Sequence, residues 1–311
     1  MLRALDEKGN LVSLLEGIPV KQSFTCPACA GQVLLKNGKI KCPHFAHRQL
    51  KKSCYFSENE SYEHLSLKAK LYQSLIKEGT VELEKFDAQL NQVADLCINQ
   101  KLILEVQCSS LSLEKLCSRS QAYYANGFHV LWLLGKKLWL KNRLTALQKQ
   151  FLYFTKDFGF HLWELDLEKN LVRLKYLIHE DIFGKVVFLT RSTAINSDLL
   201  SFFRLPYRKI KSKEFEVKMD QNLVFKVQKA LFRKEKRWLH YQELAYLKGE
   251  NILQKSLDAY YPQVKPVRSQ IGFCQIQKDL EPYYQAFEKY YRNLSNKYVQ
   301  TLYPPYFYVK I

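Results

Sequence analysis

The sequence has no run of about 18 apolar residues, the length that crosses a bilayer as a helix, so no membrane span is expected. Its opening, MLRALDEKGN, lacks the basic-then-apolar pattern of a secretory signal. Repeats and low-complexity stretches are also missing. Acidic residues are scarce: 30 Asp and Glu stand against 48 Lys and Arg in 311 residues, a formal charge of +18. Apolar residues at 47% and charged residues at 25% are ordinary for globular proteins, which excludes a disordered or fibrous chain. The expectation is a cytoplasmic protein of about two domains, with no membrane partner.

The positive excess is spread along the chain. Residues 1–150 carry 21 basic and 13 acidic side chains, and residues 151–311 carry 27 and 17. A basic body of this kind attracts a polyanion, and nucleic acid is the obvious one. The 20 Tyr, 19 Phe and 4 Trp are mostly core, but some could stack on bases. Between Phe225 and Lys248, Lys226, Lys229, Arg233, Lys234, Lys236 and Arg237 alternate with Phe225, Phe232, Trp238 and Tyr241. That stretch reads either as a nucleic-acid contact or as an amphipathic helix with a solvated basic face.

Cysteine is unevenly placed. Cys26, Cys29, Cys42 and Cys54 cluster with His44 and His47, whereas Cys97, Cys108, Cys117 and Cys274 are scattered through apolar stretches as expected buried thiols. Cys26-Pro-Ala-Cys29 has the turn spacing of a zinc knuckle. GQVLLKNGKIK, with Asn37-Gly38 as a turn, reads as a hairpin before the second ligand pair. Six candidates compete for four places, and Cys26, Cys29, His47 and Cys54 are favoured, with His44 as the substitute. Four protein ligands leave no open position, so the zinc is expected to be structural.

Helical spacing of Leu67, Leu71, Leu75 and Ile76 predicts a helix over 60–78, stopped near Gly79. Strand patterns follow at 81–86, 92–98 and 102–107, then a Ser-led helix over 112–126 and a covered strand at 128–134. The fold class is mixed α/β. A zinc-ribbon-like module occupies 1–57 and an αβββαβ domain 58–150. A basic, aromatic-rich α+β domain dominated by helices takes 151–311, with strands at 161–167, 171–178 and 185–190 and helical stretches at 223–247 and 280–300.

Asp95 and the run Glu105-Val106-Gln107 stand out on the second and third strands. A three-residue loop, Asn99–Lys101, pairs Ile98 with Leu102 and so sets Asp95 opposite Glu105, close enough for one divalent cation. A two-residue loop would send Glu105 to the other face. Glu60, His64 and Lys68 follow at helical spacing on one polar face, and Arg119 and Tyr123 are four apart on the second helix. A basic residue and a phenol beside paired carboxylates could contact a scissile phosphate.

The ordered motifs CPAC, KNGKIKCPHFAH, ESYEH, VELE, AD, EVQ-C-S and R-SQA-Y resemble the CoiA competence proteins of transformable Gram-positive bacteria, and imply a streptococcal member of that family. The resemblance implies a zinc-binding N-terminal region and a restriction-endonuclease-like PD-(D/E)XK core. It also implies a role in natural transformation, on incoming DNA or recombination intermediates, beside the RecA pathway. Asp95 and Glu105 would hold catalytic Mg²⁺ or Mn²⁺, and Gln107 would stand at the usual Lys of the E-x-K element. His64 and Lys68, with Glu60 beside them, would be the first-helix motif; Arg119, Tyr123 and Ser109 would support single-stranded or branched DNA. Gln107 cannot supply a cation or a titratable proton, and Gln92-Val93 stands where an Arg is expected. The missing lysine favours the alternative of an inactive nuclease-fold adaptor that binds DNA or a recombinase, whereas retention of both acids and of the His64/Lys68 face favours the enzyme.

Overall fold

Strands too short to bury a core alone build the N-terminal module. The computed structural model describes residues 1–20, 22–38, 42–49, 54, 60–87, 90, 92–208 and 213–309. In it β1 (Arg3–Leu5), β2 (Leu11–Ser13), β3 (Phe24–Thr25), β4 (Gln32–Lys36) and β5 (His44–His47) form an antiparallel sheet in the order β2-β1-β3-β4-β5. Phe24, Val33 and Phe45 are its buried apolar centre. The hairpin expected around Asn37-Gly38 is longer than a two-residue turn allows. Lys36 pairs with His44, where a two-residue turn at Asn37-Gly38 would pair it with residue 39, and residues 39–41 lie outside the described residues.

The next elements follow the predicted order. α1 (Tyr62–Leu75) is capped by Ser61, whose hydroxyl accepts from the His64 amide at 3.2 Å. Then come β6 (Val81–Asp87), β7 (Gln92–Ile98), β8 (Leu102–Gln107), α2 (Leu113–Ala125) and β9 (His129–Leu134). Leu67, Leu71 and Leu75 share one apolar cluster with Leu83, Leu96 and Leu104 of the strands. Ser112 caps α2, and Asn126-Gly127, with Gly127 at φ 77°, ends it.

Beyond residue 134 the same sheet continues. After α3 (Ala146–Gln150) come β10 (Tyr153–Thr155), β11 (Gly159–Asp166), β12 (Leu171–Asp181) and β13 (Val186–Ala194). The strand order is β13-β12-β11-β9-β8-β7-β6. The β8–β9 and β9–β11 pairs are parallel and the others antiparallel, which makes the sheet mixed. The boundary expected at residue 150 therefore falls inside a continuous sheet. Trp163 and Glu164 of β11 pair with Leu133 and Leu134 of β9, whose apolar run on both faces demands a neighbour on each side.

The remaining chain packs around this sheet: α4 (Leu199–Phe203), β14 (Phe215–Lys218), α5 (Leu223–Phe232), α6 (Lys236–Tyr246), β15 (Val264–Pro266), α7 (Glu281–Arg292), β16 (Val299–Leu302) and α8 (Pro305–Val309). Strand and helix share residues 151–309 about equally, so the expected helical dominance does not hold. The helix expected over 223–247 breaks at Arg233–Glu235, where Lys234 takes φ 54°. Among the described residues no helix is long and apolar enough to cross a membrane. Cys117 and Cys274, expected as separate thiols, meet as a disulfide with a Cα–Cα distance of 5.2 Å, because α2 packs on the 274 segment.

Candidate metal centre and active site

Cys26 and Cys29 lie on the turn between β3 and β4, and His47 ends β5. Their ligand atoms and that of Cys54 all lie within 4.8 Å of one another. The Sγ atoms of Cys26 and Cys54 are 3.8 Å apart, and His47 Nε2 is 3.4 Å from both Cys29 and Cys54 Sγ. Zinc bonds of about 2.3 Å to sulfur and about 2.0–2.1 Å to nitrogen, set tetrahedrally, imply separations of about 3.8 and 3.5 Å. The Cys₃His set therefore fits a metal such as zinc. The structure also separates the six candidates: His44 Nδ1 is taken by the Cys42 carbonyl at 2.9 Å, and Cys42 Sγ sits 3.3 Å from Ser66 Oγ. Burial lowers the pKa of His47, which keeps its ring neutral and able to ligate.

The second cluster forms where the β-ladders open. β6 pairs with β7 through Leu83–Leu96 and again through Lys85–Ala94, while β7 pairs with β8 through Ile98–Leu102, Cys97–Ile103 and Leu96–Leu104. The second set is the register of the three-residue loop. The two registers set Glu84, Asp95 and Glu105 in one row across three strands, and the ladder pairs skip Asp95 on both sides. Like charges placed directly opposite one another destabilise a sheet. Here each carboxylate turns to a different partner.

Asp95 faces α1. Its Oδ2 lies 3.0 Å from His64 Nε2 and accepts the Val106 amide at 2.9 Å, and its Oδ1 is 3.5 Å from Lys68 Nζ. Lys68 is 1% exposed and also pairs with Glu60 and, at 2.6 Å, with Glu84. Glu84, at φ 48°, accepts the Leu2 and Arg3 amides at 2.8–3.0 Å, so β1 is tied to the same cluster. Burial opposes the charge on Lys68, but Glu60, Glu84 and Asp95 outweigh it and hold its pKa well above the ordinary value. Burial likewise pulls His64 down, and Asp95 with Glu60 overcomes it, raising the imidazole to about 10. Burial would raise Asp95, yet His64 and Lys68 lower it to about 2.

Glu105 faces α2. Both hydrogen bonds it receives end on Oε1, from Arg119 Nη2 at 2.6 Å and from the Tyr123 hydroxyl. Burial keeps the Glu105 pKa above the usual carboxylate range against the pull of Arg119. Arg119 also donates to the Val93 carbonyl at 3.2 Å, and its Nε is buried without a partner. Gln107 is buried and its amide donates to the Ser109 carbonyl at 2.9 Å; Ser109 itself is exposed.

The structure thus gathers Glu60, His64, Lys68 and Asp95 in one network and Glu105, Arg119 and Tyr123 in another. Arg119 and Tyr123, expected as DNA contacts, are turned inward onto Glu105. Among the described residues the donor group within mutual reach is Glu60, His64 and Asp95, with ligand atoms inside 4.8 Å. With its pKa raised to about 10, His64 is there a protonated cation between the two carboxylates and not a ligand nitrogen. Sequence reasoning gave Glu84 no role; its only sign is its place opposite Asp95, which becomes readable once the β6–β7 register is known. On α5 and α6, Phe225, Phe232 and Tyr241 are exposed among cations, while Trp238 is buried.

An αβββαβ core with buried acids on neighbouring strands and basic side chains from both flanking helices defines a nuclease-like class. Residues 60–207 match the family model described as competence protein CoiA, nuclease-like domain, and residues 12–57 match that of the competence protein CoiA N-terminal domain. Together these cover more than half of the chain, which belongs to the CoiA family. The competence protein CoiA of Bacillus subtilis (strain 168) is 32% identical over 119 residues, covering 37% of this chain and 32% of that protein. The matched region thus spans about a third of the curated relative's length. No solved structure matches the chain.

Proposed function

We propose that this chain is a metal-dependent deoxyribonuclease of natural transformation, acting in the cytoplasm of a streptococcal host on incoming DNA or recombination intermediates beside the RecA pathway. The observation that carries the reading is the row of Glu84, Asp95 and Glu105 across three strands, with Lys68, His64 and Arg119 drawn onto it. Asp95, with Glu105 through its second oxygen, would hold Mg²⁺ or Mn²⁺. Such an ion polarises a phosphate and lowers the pKa of a bound water. His64 and Lys68 balance the charge of Asp95, and Arg119 with Tyr123 fixes the orientation of Glu105. Gln107 is the nearest amide on the same strand for placing a water. Zinc in the Cys₃His set would hold the N-terminal module, whose excess of basic residues would widen the DNA footprint.

The test is cleavage of single-stranded, double-stranded and branched DNA by the purified chain with each metal. Asp95→Ala and Glu105→Ala should each slow it by roughly a hundredfold or more. Protein that leaves every substrate uncut with either ion refutes the reading.

A second reading, a DNA- or recombinase-binding adaptor without turnover, draws on a specific observation. Asp95 and Glu105 already have internal cationic partners, and Gln107 is bonded to its own strand end. Metal titration separates the two: an Mg²⁺ or Mn²⁺ site lost in Glu105→Ala supports the enzyme, and tight DNA binding with no divalent site supports the adaptor.

A further inference from the structure

A cavity of about 840 Å³ opens at the end of the sheet where β8 and β9 begin, away from Gln107 and Leu134 at their other ends. This is within the size range of small-molecule sites. Its walls include five aromatic rings, Tyr124, Phe128, Tyr153, Phe203 and Tyr207. Lys101, Arg204 and Lys278 are exposed at its margin, and none of the described lining residues is acidic. Aromatic faces with a cationic edge match a nucleobase carrying phosphate.

The walls are held in place before any ligand arrives. The Tyr153 hydroxyl accepts the Trp132 amide at 2.8 Å and donates to the Val130 carbonyl at 3.1 Å. The Tyr124 hydroxyl donates to Gln275 Oε1 at 3.0 Å, and Gln275 is itself anchored on Ser120 and on the Gln150 carbonyl. Two walls also lead to the acidic row. Phe128 packs edge-on against Tyr123, which binds Glu105, and the Trp132 held by Tyr153 is the β9 partner of Glu105.

We propose that this cavity receives one base of a single DNA strand, stacked on the aromatic walls with its flanking phosphates on Lys101, Arg204 and Lys278. Three cations exceed what one mononucleotide phosphate needs and suit a strand that enters and leaves. The choice of DNA as occupant rests on the nuclease reading; the base-plus-phosphate chemistry does not.

The experiment measures binding of short single-stranded oligonucleotides by fluorescence anisotropy, without added magnesium or manganese, so that cleavage does not enter. An oligonucleotide with bases should bind about tenfold more tightly than the same backbone made abasic. Tyr207→Ala, at a 60% exposed position, should erase that difference while retaining the wild-type thermal melt. Lys101→Ala with Arg204→Ala should weaken both strands and flatten the salt dependence by about two charges. Equal affinity for the two strands, or a Tyr207→Ala protein that keeps the preference, overturns the proposal. So does free dAMP binding as tightly as the strand, which would assign the cavity to a small nucleotide. A base preference in a chain that cuts no DNA would sustain this inference while the nuclease reading fell.

Discussion

Lys68 is buried with three carboxylates around it, and its ammonium is what allows Glu60, Glu84 and Asp95 to share one region of the core. Removing one partner from such a cluster leaves uncompensated buried charge, which typically costs about 3–5 kcal/mol. Lys68→Met should therefore lower stability by that order in urea titration, although the side-chain volume is kept. His64 gives a pH signature. Its pKa rises from 6.5 to about 10, so its stabilisation is complete below 6.5 and is lost as pH climbs through 10. Asp95 runs the other way: lowered from 3.8 to about 2, it stabilises above 3.8 and loses that contribution as pH falls through 2. Unfolding free energies from urea titrations between pH 6 and 10 should fall by at least about 1 kcal/mol in wild type and much less in His64→Gln. At this scale the sequence named Asp95, Glu105, His64 and Lys68 through strand alternation and helical spacing. Glu84 escaped because its left-handed backbone and its link to β1 are products of tertiary packing.

The elements of the αβββαβ unit were readable because each carries its own punctuation: Ser61 and Ser112 as caps, Gly79 and Gly127 as stops, period-two strands between them. The β7–β8 loop repeats the lesson in detail. Asn99 and Gln100 both have positive φ, 49° and 54°, and Asn tolerates this better than Gln. Gln100→Gly should stabilise the protein by up to about 1 kcal/mol, seen as a small rise in the melting temperature. The N-terminal hairpin was misread because an Asn-Gly pair predicts a tight turn only where both flanking segments pair beside it. The basic stretch 225–248 looked like one helix because its periodicity continues through Arg233–Glu235, while the left-handed Lys234 divides it.

For the molecule as a whole, the N-terminal module is more than an appendage. β1 pairs with β3 at Leu5–Thr25, and the next residues back, Leu2 and Arg3, donate to Glu84. A metal that fixes Cys26, Cys29, His47 and Cys54 would thereby steady the strand that fixes Glu84. Elemental analysis should find one zinc per chain, and a chelator should unfold the module and also lower the unfolding midpoint of the main sheet. Acidification should release the ion, because thiolates and a neutral imidazole must compete with protons. Unfolding of the module alone, with the sheet's transition unmoved, would show that the Glu84 contacts couple nothing.

The pairing of β9 with β11 has a practical corollary for anyone dissecting this chain. A fragment ending at residue 150 would leave β9 with one naked flank of amides and carbonyls, an invitation to self-association. It should come out of cells as aggregate, whereas one carried through Ala194 should elute from a sizing column as a discrete species.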